Sequence, residues 1–324
     1  MKKALRLIFL ALLVVGTIWI IRSQQTEYQL NEGSVFGTTY HIRYQCSEDL
    51  HEAIKSEMMA IDTTFSMFNP DSWLSKWNRG EVEEMPEMVQ EVMRLALRVS
   101  DETDGAFDVT VAPLVNAWGF GYKKGEWPTD EEVDSIRQHV GYKKLIVNDK
   151  RLLHEDSPTV DFGAIAKGYA VDRVGRVLQK HGVENFMVEI GGEVVVKGHN
   201  AENKPWQIGV AKPTSEDIDT QDIIPLSEGA LATSGNYRNY HVDSLGNRVA
   251  HTIDPHSGRP VQQNLLSATV LASSCAEADA YATAFMVMGM EKTQQFVKKH
   301  PKLKIYLIYA KNKSELDVYQ NVNN

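Results

Sequence analysis

The chain has 324 residues, of which 43% are hydrophobic and 24% charged, and its formal net charge is −9 at pH 7. This composition is typical of a globular protein with a substantial core. The acidic balance argues against a nucleic-acid partner, which would require a concentrated basic face. The two cysteines, Cys46 and Cys275, are too few for a disulfide framework, and no Cys/His cluster indicates zinc.

The N-terminus has the pattern of an export signal or a short membrane span. Lys2, Lys3 and Arg6 precede an uncharged apolar run over 7–21, and neither a peptidase site nor a lipoprotein cysteine follows it. We therefore expect residues 1–27 to form an uncleaved signal anchor with its basic end in the cytoplasm. The remainder, 28–324, is expected to be one domain on the periplasmic side of the cell inner membrane. A cleaved signal peptide is the alternative.

The periodicity of the apolar residues after this segment predicts interspersed strands and helices. No G-x-G-x-x-G follows a predicted strand, which argues against a dinucleotide-binding Rossmann unit. The pattern favours an α+β fold with mixed, largely antiparallel sheets and packed helices rather than a regular βαβ series. In chain order the pattern predicts a strand within 33–44, helices over 47–65, 86–105 and 130–138, a strand over 145–147, a helix from 161–168 to about 180, strands over 186–190, 194–197, 206–210 and 265–271, a small-residue helix at 276–285, and a strand over 303–309.

The helix at 276–285 carries the side chains that best suit a metal ion. Asp279 and Thr283 are four residues apart and therefore lie on one helix face, about one turn from each other. A carboxylate and a hydroxyl oxygen at one point suit a hard cation such as Mg²⁺ or Ca²⁺. Taken alone, the pair is more commonly an unrelated surface Asp and Thr.

Four other segments each allow a functional and a structural interpretation. Asp108 is a charge in an apolar run, which requires a partner or a ligand, although it also suits a turn cap. Lys167 at a predicted helix start suits a phosphate, but the small residues around it also suit tight helix packing. The glycine turns at 189–193 and 233–237 either cradle an anion or are ordinary hairpins. His251 is a candidate general base, although a lone histidine is more often structural.

Taken in order, these segments closely resemble the ApbE family of flavin transferases over about residues 33–310. The resemblance implies an ApbE-like fold of the tunnelling-fold type. The matching stretches are Gly105-Ala-Phe-Asp-Val-Thr-Val-Ala-Pro-Leu114, Trp118-Gly-Phe-Gly121, Asp161-Phe-Gly-Ala-Ile-Ala-Lys-Gly-Tyr-Ala-Val-Asp172, Gly191-Gly192, Ala232-Thr-Ser-Gly-Asn-Tyr-Arg238, His251-Thr-Ile-Asp-Pro255 and Ala278-Asp-Ala-Tyr-Ala-Thr283.

The resemblance also implies a reaction and a set of site residues. Family members split the pyrophosphate of FAD with Mg²⁺, attach the FMN half to a Thr or Ser hydroxyl of a target protein as a phosphoester, and release AMP. Asp279 and Thr283, with the backbone carbonyl of Ala164, resemble the magnesium ligands, and Asp279 and His251 the catalytic residues. The implied FAD contacts are Phe36, Ala106, Phe107, Asp108, Asp161, Lys167, His251 and Ile253.

Two departures from the family pattern are visible. Phe36-Gly37-Thr38 replaces Met-Gly-Thr, and an aromatic ring there still packs on a flavin or adenine ring. The missing lipoprotein cysteine affects only the tether. The expected acceptor is an exported or membrane-bound flavoprotein, such as a subunit of an ion-pumping electron-transfer complex.

Two other functions fit the same residues. Water in place of the protein hydroxyl would make the chain an FAD pyrophosphatase that yields FMN and AMP. A membrane-tethered flavin-binding protein without activity is the third hypothesis, although such a binder needs neither the metal ligands nor His251. Free FMN as the sole product would favour the hydrolase, and tight FAD binding without AMP would favour the binder.

Overall fold

The computed structural model describes residues 27–120, 127–154, 158–213, 220–236, 240–242, 248–312 and 315–322, with six isolated positions before residue 27. The predicted anchor over 1–27 therefore falls almost entirely outside the described residues. Among the residues that are described, no helix is long and apolar enough to cross a membrane.

The scaffold is one eight-stranded antiparallel sheet in the order β1-β2-β5-β6-β9-β14-β15-β16. Four two-stranded sheets, β3-β4, β7-β8, β10-β11 and β12-β13, surround it. The strands are β1 (Tyr28–Val35), β2 (Thr38–Gln45), β3 (Leu145–Asn148), β4 (Arg151–His154), β5 (Phe186–Ile190), β6 (Glu193–Lys197), β7 (Trp206–Ala211), β8 (Thr220–Leu226), β9 (Glu228–Gly235), β10 (Tyr240–Val242), β11 (Arg248–Ala250), β12 (Ile253–Asp254), β13 (Arg259–Pro260), β14 (Leu265–Ala272), β15 (Lys304–Ala310) and β16 (Leu316–Gln320).

Seven α-helices lie within the described part of the chain, and one 3₁₀ turn spans Tyr142–Lys144. The two that matter most for the site, α6 and α7, pack against each other and against the sheet. The helices are α1 (His51–Phe65), α2 (Trp73–Asn78), α3 (Glu87–Glu102), α4 (Ala112–Ala117), α5 (Asp130–Arg137), α6 (Ala166–Lys180) and α7 (Cys275–Lys299).

The two faces of the sheet are covered differently because side chains alternate along each strand. Ile42 of β2, Val188 of β5 and Ile305 of β15 are buried in the main core, on the face covered by the helices. The neighbouring Tyr306 instead lies in a second cluster with Trp206, under the β7–β8 hairpin. A third, smaller cluster joins α4 and α5 to β12. The predicted α+β class is confirmed.

Several predicted elements require correction. The single strand expected within 33–44 is a hairpin, since Phe36 and Gly37 turn the chain with φ of 52° and 74°. Both values are positive, as a two-residue type I′ turn requires. The glycine turn expected at 233–237 falls largely on the end of β9, a central strand that runs to Gly235, and residue 237 is not among those described. Its small residues weaken the apolar alternation that marks a strand.

The small-residue helix is longer than expected and continues to Lys299 across a kink. Gly289 has φ 75° and ψ −179°, a combination open essentially to glycine alone. The side-chain amide of Gln263 donates a 2.6 Å hydrogen bond to the Val287 carbonyl there. The break therefore leaves this helical carbonyl satisfied.

The N-terminus of α7 is capped from another helix. The two carboxylate oxygens of Asp172 on α6 accept hydrogen bonds from the Cys275 and Ala276 N–H groups at 2.8 and 2.9 Å. These are orphan donors of the first helical turn. Burial raises the pKa of Asp172 from 3.8 to about 6, against the effect of the two hydrogen bonds.

We expect Asp172→Ala to destabilise the fold by about 1 kcal/mol at neutral pH, the usual cost of a lost cap. A raised pKa means that protonation of Asp172 adds to this contribution: the added part is fully present below about pH 4 and is lost as the pH rises through about 6, which leaves only the cap at neutral pH. The cost of the substitution is therefore expected to be larger at pH 4.5 than at pH 7.5. Urea unfolding at both values measures it, and a smaller cost at pH 4.5 contradicts this account.

Candidate active site

Two adjoining cavities open beside the N-termini of α6 and α7. The first has a volume of about 610 Å³ and the second about 430 Å³, both within the usual range for small-molecule sites. Their shared wall is formed by Val115, Asp161, Gly163 and Lys167. A ligand with two bulky ends and a charged centre would place that centre beside Lys167.

Every residue predicted for the site lies on these walls. Phe36 lines the first cavity, and Asp161 and Lys167 line both. The second cavity is lined by the others: Ala106, Phe107, Asp108, Ala164, His251, Ile253, Asp279 and Thr283. The fold thus brings together residues that are up to 247 positions apart in sequence (36 to 283), while their individual roles stay predictions.

The mouth of the first cavity is aromatic. Phe36 holds its left-handed φ at the β1–β2 turn, an uncommon conformation for a bulky residue. Phe68, between α1 and α2, lines the same cavity and is 84% exposed. Sequence reasoning missed Phe68, although an aromatic residue directly before an Asn-Pro-Asp turn is a signal that would have found it.

The carboxylate of Asp108 accepts hydrogen bonds from neighbouring groups of the protein. Its Oδ1 accepts hydrogen bonds from the Thr110 N–H and hydroxyl at 2.8 and 2.6 Å, and its Oδ2 accepts from the Tyr142 N–H at 2.8 Å. Burial raises the pKa of Asp108, while these hydrogen bonds oppose the rise. The turn-cap interpretation of Asp108 is thus what the geometry displays.

Asp161 is oriented at the start of the loop that leads into α6. Its Oδ1 accepts a 2.8 Å hydrogen bond from the Gly163 N–H, and burial raises the pKa of its carboxyl group. Because the side chain lines both cavities, it presents an acceptor to a ligand that spans them.

The α7 pair lies at the inner end of the second cavity. Oδ2 of Asp279 accepts a 3.1 Å hydrogen bond from the Gly168 N–H of α6, and the Asp279 side chain is only 4% exposed. The Thr283 hydroxyl lies 3.1 Å from the Ser234 hydroxyl of β9. The central sheet and α6 therefore hold both side chains in place.

Lys167 forms an ion pair that the sequence did not predict. Its Nζ lies 2.9 Å from Oε1 of Glu193 and 3.8 Å from Oδ2 of Asp279. Burial alone lowers the pKa of Lys167, but the two carboxylates raise it above the usual value. Burial raises the pKa of Glu193, against the attraction of Lys167. Sequence reasoning gave Glu193 no role. The signal that would have found it is a glutamate at the start of a buried strand, beside Gly191-Gly192.

His251 and Ile253 form another part of the lining of the second cavity. The His251 ring is half-buried and its centroid lies 6.3 Å from that of Phe120 in an edge-to-face arrangement. Ile253 is buried in the third cluster. This side of the cavity thus combines a titratable ring with apolar walls.

The donor set of the second cavity suits Mg²⁺. Within the described ranges, no group of three or more His, Cys, Asp or Glu side chains is placed to hold a metal. The available donors are the Asp279 carboxylate, the Thr283 hydroxyl and the Ala164 backbone, all on the same cavity wall. Mg²⁺ typically binds through one or two carboxylates and keeps positions for waters and substrate phosphates, so this sparse set of oxygens fits it.

Comparison with known proteins finds close relatives along most of the chain. A family model described as "ApbE family" matches residues 36–307. The chain is 34% identical to the FAD:protein FMN transferase of Escherichia coli (strain K12), over 89% of this chain and 86% of that protein. It is 41% identical to the FAD:protein FMN transferase of Vibrio cholerae serotype O1, over 80% and 81% of the two chains.

Solved structures agree with these sequence matches. The flavin transferase ApbE from Vibrio cholerae superposes with a TM-score of 0.81 at 35% identity, covering 91% of this chain and 97% of that chain. The ApbE protein of Thermotoga maritima superposes with a TM-score of 0.81 at 31% identity, with the same coverage. The similarity therefore extends over about nine tenths of the chain.

Proposed function

Because the chain belongs to the ApbE family, as its motifs predicted, we propose that it is an FAD:protein FMN transferase. The observation that carries this proposal is the junction of the two cavities, where Lys167 faces Asp279. A dinucleotide has two ring systems joined by an anionic diphosphate, and it matches two cavities with a cation at their shared wall. The similarity to the FAD:protein FMN transferases of Escherichia coli and Vibrio cholerae supports the same activity.

In this proposal FAD places one ring system in each cavity. The aromatic side chains of Phe36 and Phe68 are available to stack on one of them, as offset or edge-to-face contacts. Asp161 accepts a hydrogen bond from the ligand. The Lys167 ammonium lies beside the diphosphate, where a fixed cation stabilises negative charge.

Asp279, Thr283 and the carbonyl of Ala164 are the residues that would hold Mg²⁺. A bound Mg²⁺ polarises phosphoryl oxygens and neutralises charge that develops on them. The low exposure of Asp279 strengthens such an interaction, because water competes with it less.

The transfer step uses a hydroxyl group of the acceptor protein. Its oxygen forms a bond to the phosphorus on the FMN side of the diphosphate, and the bond from that phosphorus to the AMP oxygen breaks. His251 takes the hydroxyl proton as general base, from the wall of the second cavity. The products are the FMN phosphoester of a Thr or Ser residue and free AMP.

We further propose that residues 1–27 anchor the protein in the inner membrane, with the catalytic domain on the periplasmic side. The basic residues before the apolar run at 7–21 support this orientation through the positive-inside rule. The acceptor is then an exported or membrane-bound flavoprotein, for example a subunit of an ion-pumping electron-transfer complex.

The full chain, incubated with FAD, Mg²⁺ and a candidate acceptor protein, tests the proposed activity. Intact-mass analysis is expected to find the acceptor heavier by one FMN phosphoester, with AMP in the supernatant. Changing the acceptor threonine to alanine is expected to abolish the mass increase. Free FMN with an unmodified acceptor would instead make the chain an FAD pyrophosphatase, and FAD retention without AMP would make it a binding protein.

We expect His251→Ala to slow FMN transfer by about 10²–10⁴-fold, the usual contribution of a general base. FAD binding, followed by flavin fluorescence, is expected to weaken far less than the transfer rate, because the FAD contact implied for His251 is one of several, whereas proton transfer occurs only in the reaction. His256→Ala is the matched control, since His256 is exposed and lines neither cavity. Transfer by His251→Ala at the rate of the control would remove His251 from the mechanism.

A further inference from the structure

Three charged side chains from three different elements meet in the second cavity, where Lys167 forms part of the wall shared with the first. Lys167 comes from α6, Glu193 from β6 and Asp279 from α7. The ammonium is 2.9 Å from Glu193 and 3.8 Å from Asp279, so it forms a hydrogen bond with the first and only a longer contact with the second. The hydrogen bond to Glu193 thus fixes the position of the Lys167 ammonium.

Glu193 is unusually buried for a residue with so few partners. Its side chain is 5% exposed, compared with 34% for Lys167, and its Oε2 has no hydrogen-bond partner. A buried carboxylate with an unused oxygen is costly and gives this strand no stability that an apolar residue would not supply. Such a cost points to a role in the site.

We propose that Glu193 is a positioning residue that holds the Lys167 ammonium at the junction of the cavities and away from Asp279. This inference rests on the proposed function, in which Asp279 binds the cation and Lys167 the diphosphate. Without Glu193, the nearest carboxylate left to Lys167 is Asp279, whose Oδ2 is already only 3.8 Å away. A small side-chain rotation would close that gap and pair Lys167 with the carboxylate that the cation requires.

The net charge of the three side chains also predicts weaker cation binding when Glu193 is replaced. Glu193, Asp279 and Lys167 together carry a net charge of −1 when all three are ionised, whereas glutamine at position 193 leaves a net charge of 0. A neutral site attracts a divalent cation less than a site with a charge of −1. This difference is large because the side chains of Glu193 and Asp279 are almost fully excluded from solvent. The same change removes a negative charge from beside the diphosphate of FAD.

The test is a titration of the full-length chain with Mn²⁺, followed by electron paramagnetic resonance in the absence of FAD and acceptor. Glu193→Gln is expected to weaken Mn²⁺ binding about 10–100-fold, the usual effect of losing a group that supports a metal ligand. The double variant Glu193→Gln/Lys167→Met is expected to recover most of that affinity, because no ammonium remains to occupy Asp279.

Glu184→Gln is the matched control. It breaks another lysine–glutamate pair, Lys197–Glu184 at 2.7 Å, which lies outside both cavities, and it is expected to leave Mn²⁺ binding unchanged. If Glu193→Gln does not fold, the Mn²⁺ affinity of Lys167→Met alone is the second measurement. We expect this variant to bind Mn²⁺ more tightly than the wild type.

Unchanged Mn²⁺ affinity in folded Glu193→Gln, or no recovery in the double variant, overturns the positioning role. If Glu193→Gln does not fold, Mn²⁺ binding by Lys167→Met that is no tighter than in the wild type overturns it. Because the readout involves neither FAD cleavage nor acceptor, this failure is distinguishable from failure of the transferase proposal. If the wild-type chain modifies the acceptor and the Glu193→Gln variant binds Mn²⁺ normally, the transferase proposal stands and only the positioning role of Glu193 is overturned.

Discussion

Replacing Asp279 with alanine is expected to lower the rate of AMP release and FMN transfer by at least about 10³-fold, the upper range for the loss of one electrostatic contact in the transition state. The carboxylate is the only charged donor among the three groups assigned to the cation, and it is almost fully buried. FAD binding is expected to persist, because the aromatic walls of the first cavity are untouched. AMP is measured by chromatography at saturating FAD and Mg²⁺.

Glu277→Ala is the control for this experiment. Glu277 lies two residues earlier on the same helix, pairs with Arg98 at 2.9 Å and lines neither cavity. We expect it to retain activity within a few-fold of the wild type. Full AMP release by Asp279→Ala with Mg²⁺ present would contradict the metal assignment.

The second large effect is expected from Gly168→Ala, where α6 crosses the N-terminus of α7. A Cβ at position 168 would lie 2.3 Å from the Cys275 carbonyl oxygen and 2.8 Å from the Ala276 nitrogen. Both atoms belong to the backbone and cannot rotate away, so the helices must separate. We expect the free energy of unfolding to fall by about 1–3 kcal/mol, as for other overpacked cores.

Activity is expected to fall with stability in this variant. The Gly168 N–H donates to Asp279, and separating the helices moves the carboxylate relative to Thr283 and Ala164. Mn²⁺ affinity therefore falls as well. Denaturant unfolding and Mn²⁺ titration of the same sample measure both effects.

Gly175→Ala on the same helix is the matched control. A Cβ at position 175 would meet only side-chain atoms of Val195 and Phe186, at 3.3 Å and beyond, and alanine is the better helix former by about 1 kcal/mol. We expect near-neutral stability and unchanged Mn²⁺ binding. Equal losses in the two variants would mean that the close helix crossing does not determine the position of Asp279.

The sequence predicted the site better than it predicted the strands around it. Asp279 and Thr283 share a face of α7 because helical geometry alone places them there. By contrast, no strand is predicted over β9 and its last residues are predicted as a glycine turn, since its small residues show little apolar alternation. Its place in the centre of the sheet depends on pairing with β6 and β14, which are distant in sequence.

The same limit applies to the partners of the predicted residues. No local pattern indicates that Glu193 of one strand meets Lys167 of α6, or that Asp172 caps a helix a hundred residues later. Asp108 likewise has the composition of a ligand contact, but its carboxylate is used by Thr110 and Tyr142. Sequence motifs identified which residues gather at the site, while the fold determines which of them remain available to a ligand.

The central claim is that the second cavity holds a cation beside the wall shared with the first, where the cation faces the diphosphate of FAD. Anomalous diffraction from crystals of the protein grown with Mn²⁺ and FAD tests it most directly. We predict a Mn²⁺ peak within coordination distance of the Asp279 carboxylate, the Thr283 hydroxyl and the Ala164 carbonyl, with the diphosphate beside Lys167. A peak away from these oxygens, or FAD bound with its diphosphate outside the junction, would contradict the account.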